Sequence, residues 1–268
     1  MEKKHKERDI HELIKKRVLE EQNKLSMWEQ IKEDFKVPKL NDPALDSSFE
    51  LFFNYPGVWA IINHRIANRL YMKGWIKLSR ALVGFSSLFT KTDIHPAATI
   101  GRRVFIDHAI GVVIGATTVI EEDVLIYQGV TLGGVSLDKG KRHPTIKANA
   151  VIGSGAKVLG NIIICKNAKV GANSVVVCDV PKNATAVGVP AKIIRRDKKD
   201  LHDKEARLDH NDLPDINKEM FKYLIERVQV LETALKDKEG IDLTNKDNKL
   251  EENYNRFINA MNSIKKRK

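Results

Sequence analysis

The segment IKANAVIGSGAKVLGNIIICKNAKVGANSVV, residues 146–176, carries an aliphatic residue at every sixth position. The repeating positions are Ile146, Ile152, Val158, Ile164, Val170 and Val176. The same spacing begins earlier, at Ile94, Ile100 and Ile106, and after a slip of two residues continues at Ile114, Ile120, Ile126 and Leu132. Helices repeat near 3.6 residues and strands at 2, whereas a hexapeptide period is typical of parallel β-helices. The sequence therefore predicts a solenoid over residues 93–194.

Each hexad supplies one short strand and one turn, so that three hexads make a triangular coil. The aliphatic residue points into the prism. A small or β-branched residue four positions later, such as Ala98, Ala150 or Ala156, allows the corner to turn. Because one coil cannot bury its own interior, stability must come from the stacking of neighbouring coils. Short sandwich strands are the alternative, but they would alternate with a period of two.

The composition argues against membrane and nucleic-acid partners. The net charge of +11 is spread over the chain ends and residues 195–204, without interleaved aromatic residues. No apolar run reaches the roughly 20 residues of a membrane span, and the charges throughout residues 1–16 argue against a signal peptide. Cys165 and Cys178 are predicted to be buried, unpaired thiols in a reducing compartment. We therefore expect a cytoplasmic protein.

Helical patterns flank the repeat on both sides. Asn41-Asp42-Pro43-Ala44 predicts the start of a helix, with Asp42 as the N-cap and Pro43 at the first helical position. The predicted order is a charged arm over 1–26 (an exposed helix or a frayed segment), a helical domain over 27–92, the β-helix over 93–194 with an excursion loop over 133–145, a linker over 195–211, a C-terminal helix over 212–237 and a polar basic tail over 238–268.

The C-terminal helix carries a narrow apolar stripe. Its apolar residues alternate spacings of three and four, at Phe221, Leu224, Val228, Leu231 and Leu235. This spacing predicts a short coiled coil, which a trimer of solenoids would form by placing three such helices side by side. The alternative is that the helix packs on its own subunit.

His108 falls in the slipped coil, between Ile106 and Ile114. Extra residues in a regular β-structure form bulges, which re-aim side chains near active sites. Asp93 precedes His108 by almost one coil, so the two side chains could be stacked neighbours. A carboxylate on one imidazole nitrogen would leave the other nitrogen free to accept a proton from a substrate hydroxyl. The alternatives are a turn-capping aspartate and a histidine on a surface turn.

The interruption of the hexads over 133–145 predicts a loop that folds over a neighbouring site. It begins with Gly133-Gly134, where a ligand can approach the backbone closely. It ends in Arg142-His143-Pro144, which would bring cationic or hydrogen-bond-donor groups to a carboxylate or a developing oxyanion.

Several motifs together resemble those of bacterial serine acetyltransferases, a family of hexapeptide-repeat acyltransferases. They are Asp93-Ile94-His95-Pro96-Ala97-Ala98, Asp107-His108-Ala109, Val130-Thr131-Leu132-Gly133-Gly134, Arg142-His143-Pro144, Gly155-Ala156-Lys157-Val158-Leu159-Gly160 and Gly188-Val189-Pro190-Ala191. Hexads alone are shared by many acyltransferases, but this combination is far more specific. The resemblance covers about residues 27–195 and is to the short form of the enzyme.

The resemblance implies an α+β protein, with an N-terminal helical domain, a left-handed parallel β-helix of hexapeptide repeats and a C-terminal helix. It implies transfer of the acetyl group of acetyl-CoA to the hydroxyl of L-serine. The product, O-acetyl-L-serine, is used in cysteine biosynthesis. No metal is expected, and with no acyl-accepting nucleophile in evidence, the transfer would be direct.

Residue roles follow from the matching motifs. His108 resembles the general base, and Asp93 its orienting carboxylate. Asp42 and Asp107 match the aspartates that hold the serine ammonium group, and Arg142 and His143 match the pair near its carboxylate. A backbone N–H near Gly134 would meet the thioester oxyanion, and the pantetheine arm would pass Ser154 and Ala172 in a groove between adjacent subunits. The expected acetyl-CoA site thus comprises Gly133, Gly134, Ser154 and Ala172.

The resemblance also implies a homotrimer, with a dimer of trimers left open because the helical domain is short. Family members commonly have Gly-Glu-Thr where this chain reads Gly115-Ala116-Thr117. The long-form enzymes end in an isoleucine that docks into cysteine synthase, whereas this sequence ends in Lys268. The sequence therefore argues against a cysteine synthase complex.

Three other functions compete with this interpretation. A hexapeptide acetyltransferase acting on a sugar would need a neutral, hydroxyl-rich site, which Asp42, Asp107 and Arg142 do not offer. A zinc enzyme of the carbonic-anhydrase type would need three converging histidines, for which His95, His108 and His143 are candidates by number alone. A non-catalytic trimeric scaffold would be indifferent to loss of His108.

Overall fold

The computed structural model describes residues 2–45, 47–137, 140–195 and 216–239. The chain divides into two compact units, Met1–Leu213 and Pro214–Lys268. The first unit contains five helices among its described residues, followed by short strands. The helices are α1 (Glu2–Asn23), α2 (Met27–Asn41), α3 (Ser48–Asn54), α4 (Pro56–Met72) and α5 (Ile76–Thr90).

The strands of the first unit follow the hexads. In chain order they are β1 (Asp93–Ile94), β2 (Thr99–Ile100), β3 (Phe105–Ile106), β4 (Val113–Ile114), β5 (Val119–Ile120), β6 (Leu125–Ile126), β7 (Thr131–Gly133), β8 (Thr145–Ile146), β9 (Val151–Ile152), β10 (Lys157–Leu159), β11 (Ile163–Ile164), β12 (Lys169–Val170), β13 (Val175–Val176), β14 (Ala184–Gly188) and β15 (Ala191–Arg195).

These strands form three sheets that run along the repeat. Sheet A has the order β1-β4-β7-β10-β13, sheet B has β11-β8-β5-β2, and sheet C has β15-β14-β12-β9-β6-β3. All pairings are parallel except that of β14 with β15. Val113 pairs with Thr131, which gives a coil of 18 residues. The parallel β-helix predicted from the hexads is therefore confirmed.

The interior of the prism is built from the predicted positions. The aliphatic residues that begin the hexads are all at most 3% exposed, and most are fully buried. The residues four positions later, including Ala98, Ala150 and Ser174, are also buried. They are thus a second inward-facing layer, and each precedes the next strand. Glycine is required at some corners because the next coil stacks directly above: a Cβ on Gly153 would lie 2.7 Å from the backbone N of Ala172.

Both irregularities of the repeat coincide with irregular structure. Between β3 and β4, His108 and Ala109 adopt positive φ angles of 56° and 37°. Positive φ is uncommon outside glycine, so the two-residue slip is taken up in a strained corner that contains His108. The excursion predicted over 133–145 separates β7 from β8, and Val119 accordingly pairs with Thr145.

Helix α4 closes the open N-terminal end of the prism. Ala60 and Ile61 belong to the same buried cluster as the interior of the first coils. Asn68 donates to the carbonyl oxygens of Pro96 and Ala98, at 2.8 and 3.1 Å. Solenoids need such a cap because their first repeat has no neighbour to cover its apolar edge.

Two of the three faces of the prism are covered by helices of the same chain. Helix α1 lies on sheet B, where Ile14 and Val18 pack on Val119. Helix α2 lies on sheet C, where Val37 packs on Phe105 and its neighbours. The predicted arm over 1–26 is therefore a docked helix over its described length. On sheet A, by contrast, the outward-facing residues are exposed or half-buried: Asp93, Val113, Thr131, Lys157 and Val175.

The predicted helix start at Asp42 is wrong. Asp42 follows the last residue of α2, and its backbone N–H donates to the Pro38 carbonyl. Its Oδ1 accepts from the Ala44 N–H at 2.8 Å, which forms a local turn instead of opening a helix. The next helix, α3, begins at Ser48 with Ser47 as its N-cap. The error has a physical cause: the same short polar side chain satisfies a turn as readily as a helix terminus.

The second unit is described over α6 (Ile216–Glu239). Four of its predicted stripe residues, Phe221, Leu224, Val228 and Leu231, are 48–59% exposed within the chain. A coiled coil remains a prediction. The predicted linker and tail fall almost entirely outside the described residues.

Cys165 is half-buried and Cys178 exposed, so the prediction that both are buried is wrong. Within the described parts of the chain, no helix is long and apolar enough to cross a membrane.

Candidate active site

The corner where sheet C turns into sheet A carries an acidic half-site, which consists of Asp42, Asp107 and His108. Asp107 and His108 follow β3 directly. Asp42 reaches the same corner from the end of α2, where Tyr55 Oη donates to its Oδ2 at 2.6 Å. The His108 side chain is 73% exposed, and its Nε2 lies 3.8 Å from Oδ2 of Asp107. The imidazole is thus open to a ligand.

The carboxylates of Asp42 and Asp107 are close enough to affect each other electrostatically. Burial raises the pKa of Asp107, the positive charge of His108 opposes this, and the Asp42 carboxylate raises it further. The pKa of Tyr55 is also raised, first by burial and then by its hydrogen bond to Asp42. Two carboxylates that repel each other beside an open imidazole create a site that a cationic group would stabilise.

The structure does not bring Asp93 into contact with His108 within the chain. Asp93 is exposed on the outer face of sheet A, and it raises the pKa of His95, against the larger effects of burial and of Arg80. The pairing of Asp93 with His108 therefore stays a prediction.

The opposite edge of sheet A, where it turns into sheet B, carries a basic half-site, which consists of His95, Arg142 and His143. Two short hydrogen-bond networks build it. The Thr117 N–H donates to Nδ1 of His143 at 3.2 Å, and the Thr117 hydroxyl lies 2.8 Å from the same nitrogen. The Thr117 Oγ1 accepts from the backbone N–H groups of Arg142 and His143, at 3.1 and 3.2 Å. Thr117 therefore fixes the end of the excursion loop.

The contacts of His143 determine its protonation. Because a backbone N–H can only donate, Nδ1 must be the unprotonated nitrogen and Nε2 carries the proton. Burial, with help from Arg142 and Lys141, lowers the pKa of His143 to about 4. At neutral pH the ring is therefore an uncharged donor through Nε2. The formal positive charge of this half-site comes from Arg142.

Arg142 lies against the predicted glycine pair. A Cβ on Gly134 would lie 3.1 Å from the Arg142 carbonyl oxygen and 3.2 Å from its side-chain carbons. Gly133 ends β7 and pairs with Leu159. Arg142 also lowers the pKa of His95, though by less than burial does. Gly133 and Gly134 therefore belong to the basic edge.

The remaining predicted residues, Ser154 and Ala172, lie on the acidic edge. Ile106 pairs with Ile126, Ile126 with Ile152, and Ile152 with Val170. The positions two residues beyond these pairs are therefore equivalent in successive coils. They are occupied by His108, Gln128, Ser154 and Ala172. Glycines with positive φ at 111, 129 and 155 keep this corner narrow. His108 thus stands at one end of a continuous track that contains Ser154 and Ala172.

Sequence reasoning missed Thr117, Gly115 and Tyr55. The signal for Thr117 was present, since Gly115-Ala116-Thr117 occupies the corner next to the loop, but only the absent glutamate was noted. The role of Gly115 depends on a ring 28 residues later in the chain. A Cβ on Gly115 would lie 2.0 Å from Cδ2 and 2.1 Å from Nε2 of His143, so glycine alone leaves space for the ring.

We expect Gly115→Ala to displace His143 and to raise the KM for an amino-acid acceptor about tenfold, which corresponds to one lost hydrogen bond to a charged group. The KM for acetyl-CoA should not change. Steady-state kinetics with each substrate varied in turn checks this. Gly84→Ala is the matched control, because a Cβ there meets open space. An unchanged acceptor KM in Gly115→Ala would remove His143 from acceptor binding.

No three histidine, cysteine, aspartate or glutamate side chains among the described residues are grouped so as to hold a metal ion. No family model matches the chain. Curated relatives do. The serine acetyltransferase of Bacillus subtilis strain 168 is 46% identical over 211 residues, or 79% of this chain and 96% of the relative. That of Synechococcus elongatus is 42% identical over 217 residues, or 81% of this chain and 86% of the relative.

Solved structures agree. A Neisseria gonorrhoeae serine acetyltransferase in complex with serine has 44% identity and a TM-score of 0.59, over 62% of this chain and 68% of that one. A Brucella abortus serine acetyltransferase in complex with coenzyme A has 42% identity and a TM-score of 0.60, over 62% and 67%. A serine acetyltransferase in complex with cysteine has 44% identity and a TM-score of 0.62, over 64% and 67%.

A β-helix of hexads with an open histidine at a strained corner and a loop folded over the neighbouring edge defines an acyltransferase of the hexapeptide-repeat class. Within that class, the identity and coverage of the curated relatives are decisive. The chain belongs to the serine acetyltransferase family.

Proposed function

We propose that the protein transfers the acetyl group of acetyl-CoA to the hydroxyl of L-serine, which yields O-acetyl-L-serine and CoA as the first step of cysteine biosynthesis. One observation carries the proposal: the acidic and basic half-sites flank the same sheet, whose outward-facing residues are exposed or half-buried within the described part of the chain. A zwitterionic amino acid needs anions for its ammonium group, a cation for its carboxylate and a base at its hydroxyl. The two half-sites supply these groups together.

In this proposal Asp42 and Asp107 hold the ammonium group, which relieves their mutual repulsion. Arg142 supplies the charge for the carboxylate, and neutral His143 donates a hydrogen bond from Nε2. His108 accepts the hydroxyl proton while the serine oxygen attacks the thioester carbonyl. The thiolate of CoA then leaves and takes the proton from the imidazolium. Asp93 is proposed to orient His108 and support its charge.

Acetyl-CoA would lie along the acidic edge. The track from His108 past Ser154 to Ala172 matches the direction that a pantetheine arm needs to reach the base. A backbone N–H near Gly134, on the basic edge, would stabilise the oxyanion. The thioester must therefore lie between the two edges, with its carbonyl at Gly134 and its arm at Ser154.

The two edges of one prism cannot meet across sheet A, so we propose that a second copy of the chain brings them together in a homotrimer. Sheets B and C are already covered by α1 and α2, whereas sheet A presents Val113 and Thr131 outward. In a trimer, the exposed stripe of α6 could also pair with its copies as a coiled coil. We also propose that the β-helix winds in the left-handed sense.

Mixed trimers test the shared site. His108→Ala damages only the acidic half-site and Arg142→Ala only the basic half-site. Mixed trimers of the two inactive variants should have about a third of wild-type activity, because each contains one intact site in three. Assay of mixed trimers purified through two different tags after co-expression measures this. Activity that stays at the level of the single variants would place both half-sites in one subunit.

Acceptor choice tests the reaction itself. Release of free thiol from acetyl-CoA should depend on L-serine and not on a panel of sugars, with no added metal. A sugar-dependent rate would retain the fold and the base but replace the zwitterion site by a sugar site. The absence of a rate with every acceptor would favour the non-catalytic scaffold.

A further inference from the structure

Lys141 immediately precedes the pair Arg142–His143, yet its side chain turns away from the basic half-site. Its Nζ donates to the carbonyl oxygen of Thr117 at 2.6 Å and to that of Pro144 at 3.1 Å. These two carbonyls belong to different segments, one in the corner after β4 and the other at the end of the excursion loop. A single ammonium group thus joins the loop to the corner it lies on.

The residue that Lys141 anchors is the one that orients the basic half-site. Thr117 holds the His143 ring through its N–H and hydroxyl, and its Oγ1 accepts from the Arg142 N–H. Lys141 therefore contacts the backbone of Thr117, while Arg142 and His143 depend on the rest of that residue. A substitution of Lys141 would therefore affect Arg142 and His143 indirectly, through Thr117.

Helix α1 covers this arrangement from outside. His11 Nδ1 lies 2.7 Å from Oγ1 of Thr145, one residue beyond the loop. Val18 is buried against Val119, and Arg17 forms an ion pair of 2.5 Å with the buried Glu121. Gln22 reaches the carbonyl oxygen of Ile100. The helix is thus fixed to β8, β5 and β2 in turn, and Glu12 and Lys15 of the same helix act electrostatically on Lys141.

Lys141 is half-buried, and charged groups of both signs on α1 act on it. Burial lowers the pKa of Lys141 to about 7, Glu12 of α1 opposes this, and Lys15 of α1 adds to it. His11, which also faces Lys141, has its pKa lowered to about 4, chiefly by burial, and is neutral at pH 7. With a pKa of about 7, the side chain is divided between ammonium and neutral amine at pH 7. Either form has enough N–H groups to donate to both carbonyls.

We propose that Lys141 is a positioning residue for the acceptor carboxylate, and that docked α1 holds it in place. The N-terminal helix is then part of the serine site even though it contributes no group that touches serine. This inference rests on the proposed function for its kinetic readout. Its structural readout is independent of that function.

Lys141→Met tests the inference at the lysine. Methionine keeps a similar length and apolar body but removes the donors. The KM for serine should rise about tenfold, in line with the loss of hydrogen bonds to a charged donor, while the KM for acetyl-CoA stays unchanged. Lys141→Arg, which retains charge and donors, should restore most of the loss. Lys166→Met, at an exposed lysine, is the matched control and should have no effect.

Val18→Asp tests the inference at the helix, since a buried aspartate should release α1 from sheet B. The same serine-specific rise in KM is expected. Hydrogen exchange measured by mass spectrometry on the whole protein should increase in residues 140–145 of both Val18→Asp and Lys141→Met, and not in β12 and β13, which do not pair with β8. Equal effects on both KM values, or unaltered exchange in 140–145, would overturn the proposal. If the wild type shows no serine-dependent rate, only the proposed function fails. The exchange result then still tests whether Lys141 and α1 hold residues 140–145 in place.

Discussion

Replacement of His108 by alanine should lower kcat for acetyl transfer to serine by about 10²–10⁴-fold, the usual contribution of a general base. No other side chain at the acidic edge can accept the hydroxyl proton near neutral pH without losing its part in ammonium binding. The KM for acetyl-CoA should change little, because the proposed pantetheine contacts at Ser154 and Ala172 lie two and three coils beyond His108. Thiol release at saturating concentrations of both substrates measures the effect.

The fold should survive this substitution, since the His108 side chain is largely exposed. His108→Asn is the matched variant. Asparagine tolerates the positive φ of this corner better than alanine does but cannot act as a base. Both variants should unfold at the wild-type temperature and be equally slow. A kcat within a factor of about three of wild type in either variant is too small a loss for a general base and would exclude His108 from that role.

The pH profile gives a second test of the same residue. Activity should fall as the pH is lowered below neutral, because a protonated base cannot accept the hydroxyl proton. His143 and His11 cannot produce that limb, because each has a pKa lowered to about 4 and stays neutral down to that pH. The same fall of log kcat at low pH should persist in the His143→Asn variant. A plot of log kcat against pH for that variant measures this. A flat wild-type profile from pH 5 to 8 would contradict the assignment.

The lowered pKa values of His11 and His143 also affect stability. Between pH 6.5 and 4 the unfolded chain binds protons that the folded chain does not, so stability should fall as pH decreases through that window. Since His11 belongs to α1, acid should loosen the helix that covers Lys141. The acid limb of kcat is measured at saturating serine, which separates it from any loss of serine affinity.

The β-helix could be predicted from the sequence because its signal is local and repeated. Every interior position from Ile94 to Val176 follows from one period, and each hexad repeats the evidence. The slip after Ile106 marked the His108 corner for the same reason, since a break is visible only against a regular pattern. The excursion before Thr145 was equally visible.

The rest of the site depends on contacts between residues far apart in sequence. The sequence around Gly115 does not predict its contact with the ring of His143. The sequence of residues 11–22 does not predict that this segment packs on a surface formed by three coils. The turn at Asp42 was mistaken for a helix start because local chemistry permits both. The separation of the acidic and basic half-sites onto two edges follows from sheet order, which single-residue motifs do not contain.

The second large effect concerns the ion pair that joins the helices to the β-helix. Arg65 on α4 donates to both carboxylate oxygens of Asp34 on α2, at 2.5 and 2.8 Å, and its guanidinium also contacts the carbonyl oxygens of Ile100 and Gly101. Both side chains are at most 3% exposed. Asp34→Ala should lower the free energy of unfolding by about 3–5 kcal/mol, because it leaves a buried guanidinium without a counter-charge. Urea denaturation followed by circular dichroism measures this.

The intact ion pair should contribute much less to the free energy of unfolding than is lost when only one of its partners is removed. Burial raises the pKa of Asp34 although Arg65 pulls it downward, which indicates that desolvation consumes most of the attraction. The double variant Asp34→Leu/Arg65→Met should therefore be more stable than Asp34→Ala, since it leaves no buried charge. Glu33→Ala, at the residue directly before Asp34, is the control: its ion pair with Arg102 is partly exposed, and its loss should cost only about 1 kcal/mol. If the double variant instead loses more stability than Asp34→Ala, attraction within the pair outweighs its desolvation. α2, which ends at the Asp42 of the acidic half-site, would then be held on α4 chiefly by charge.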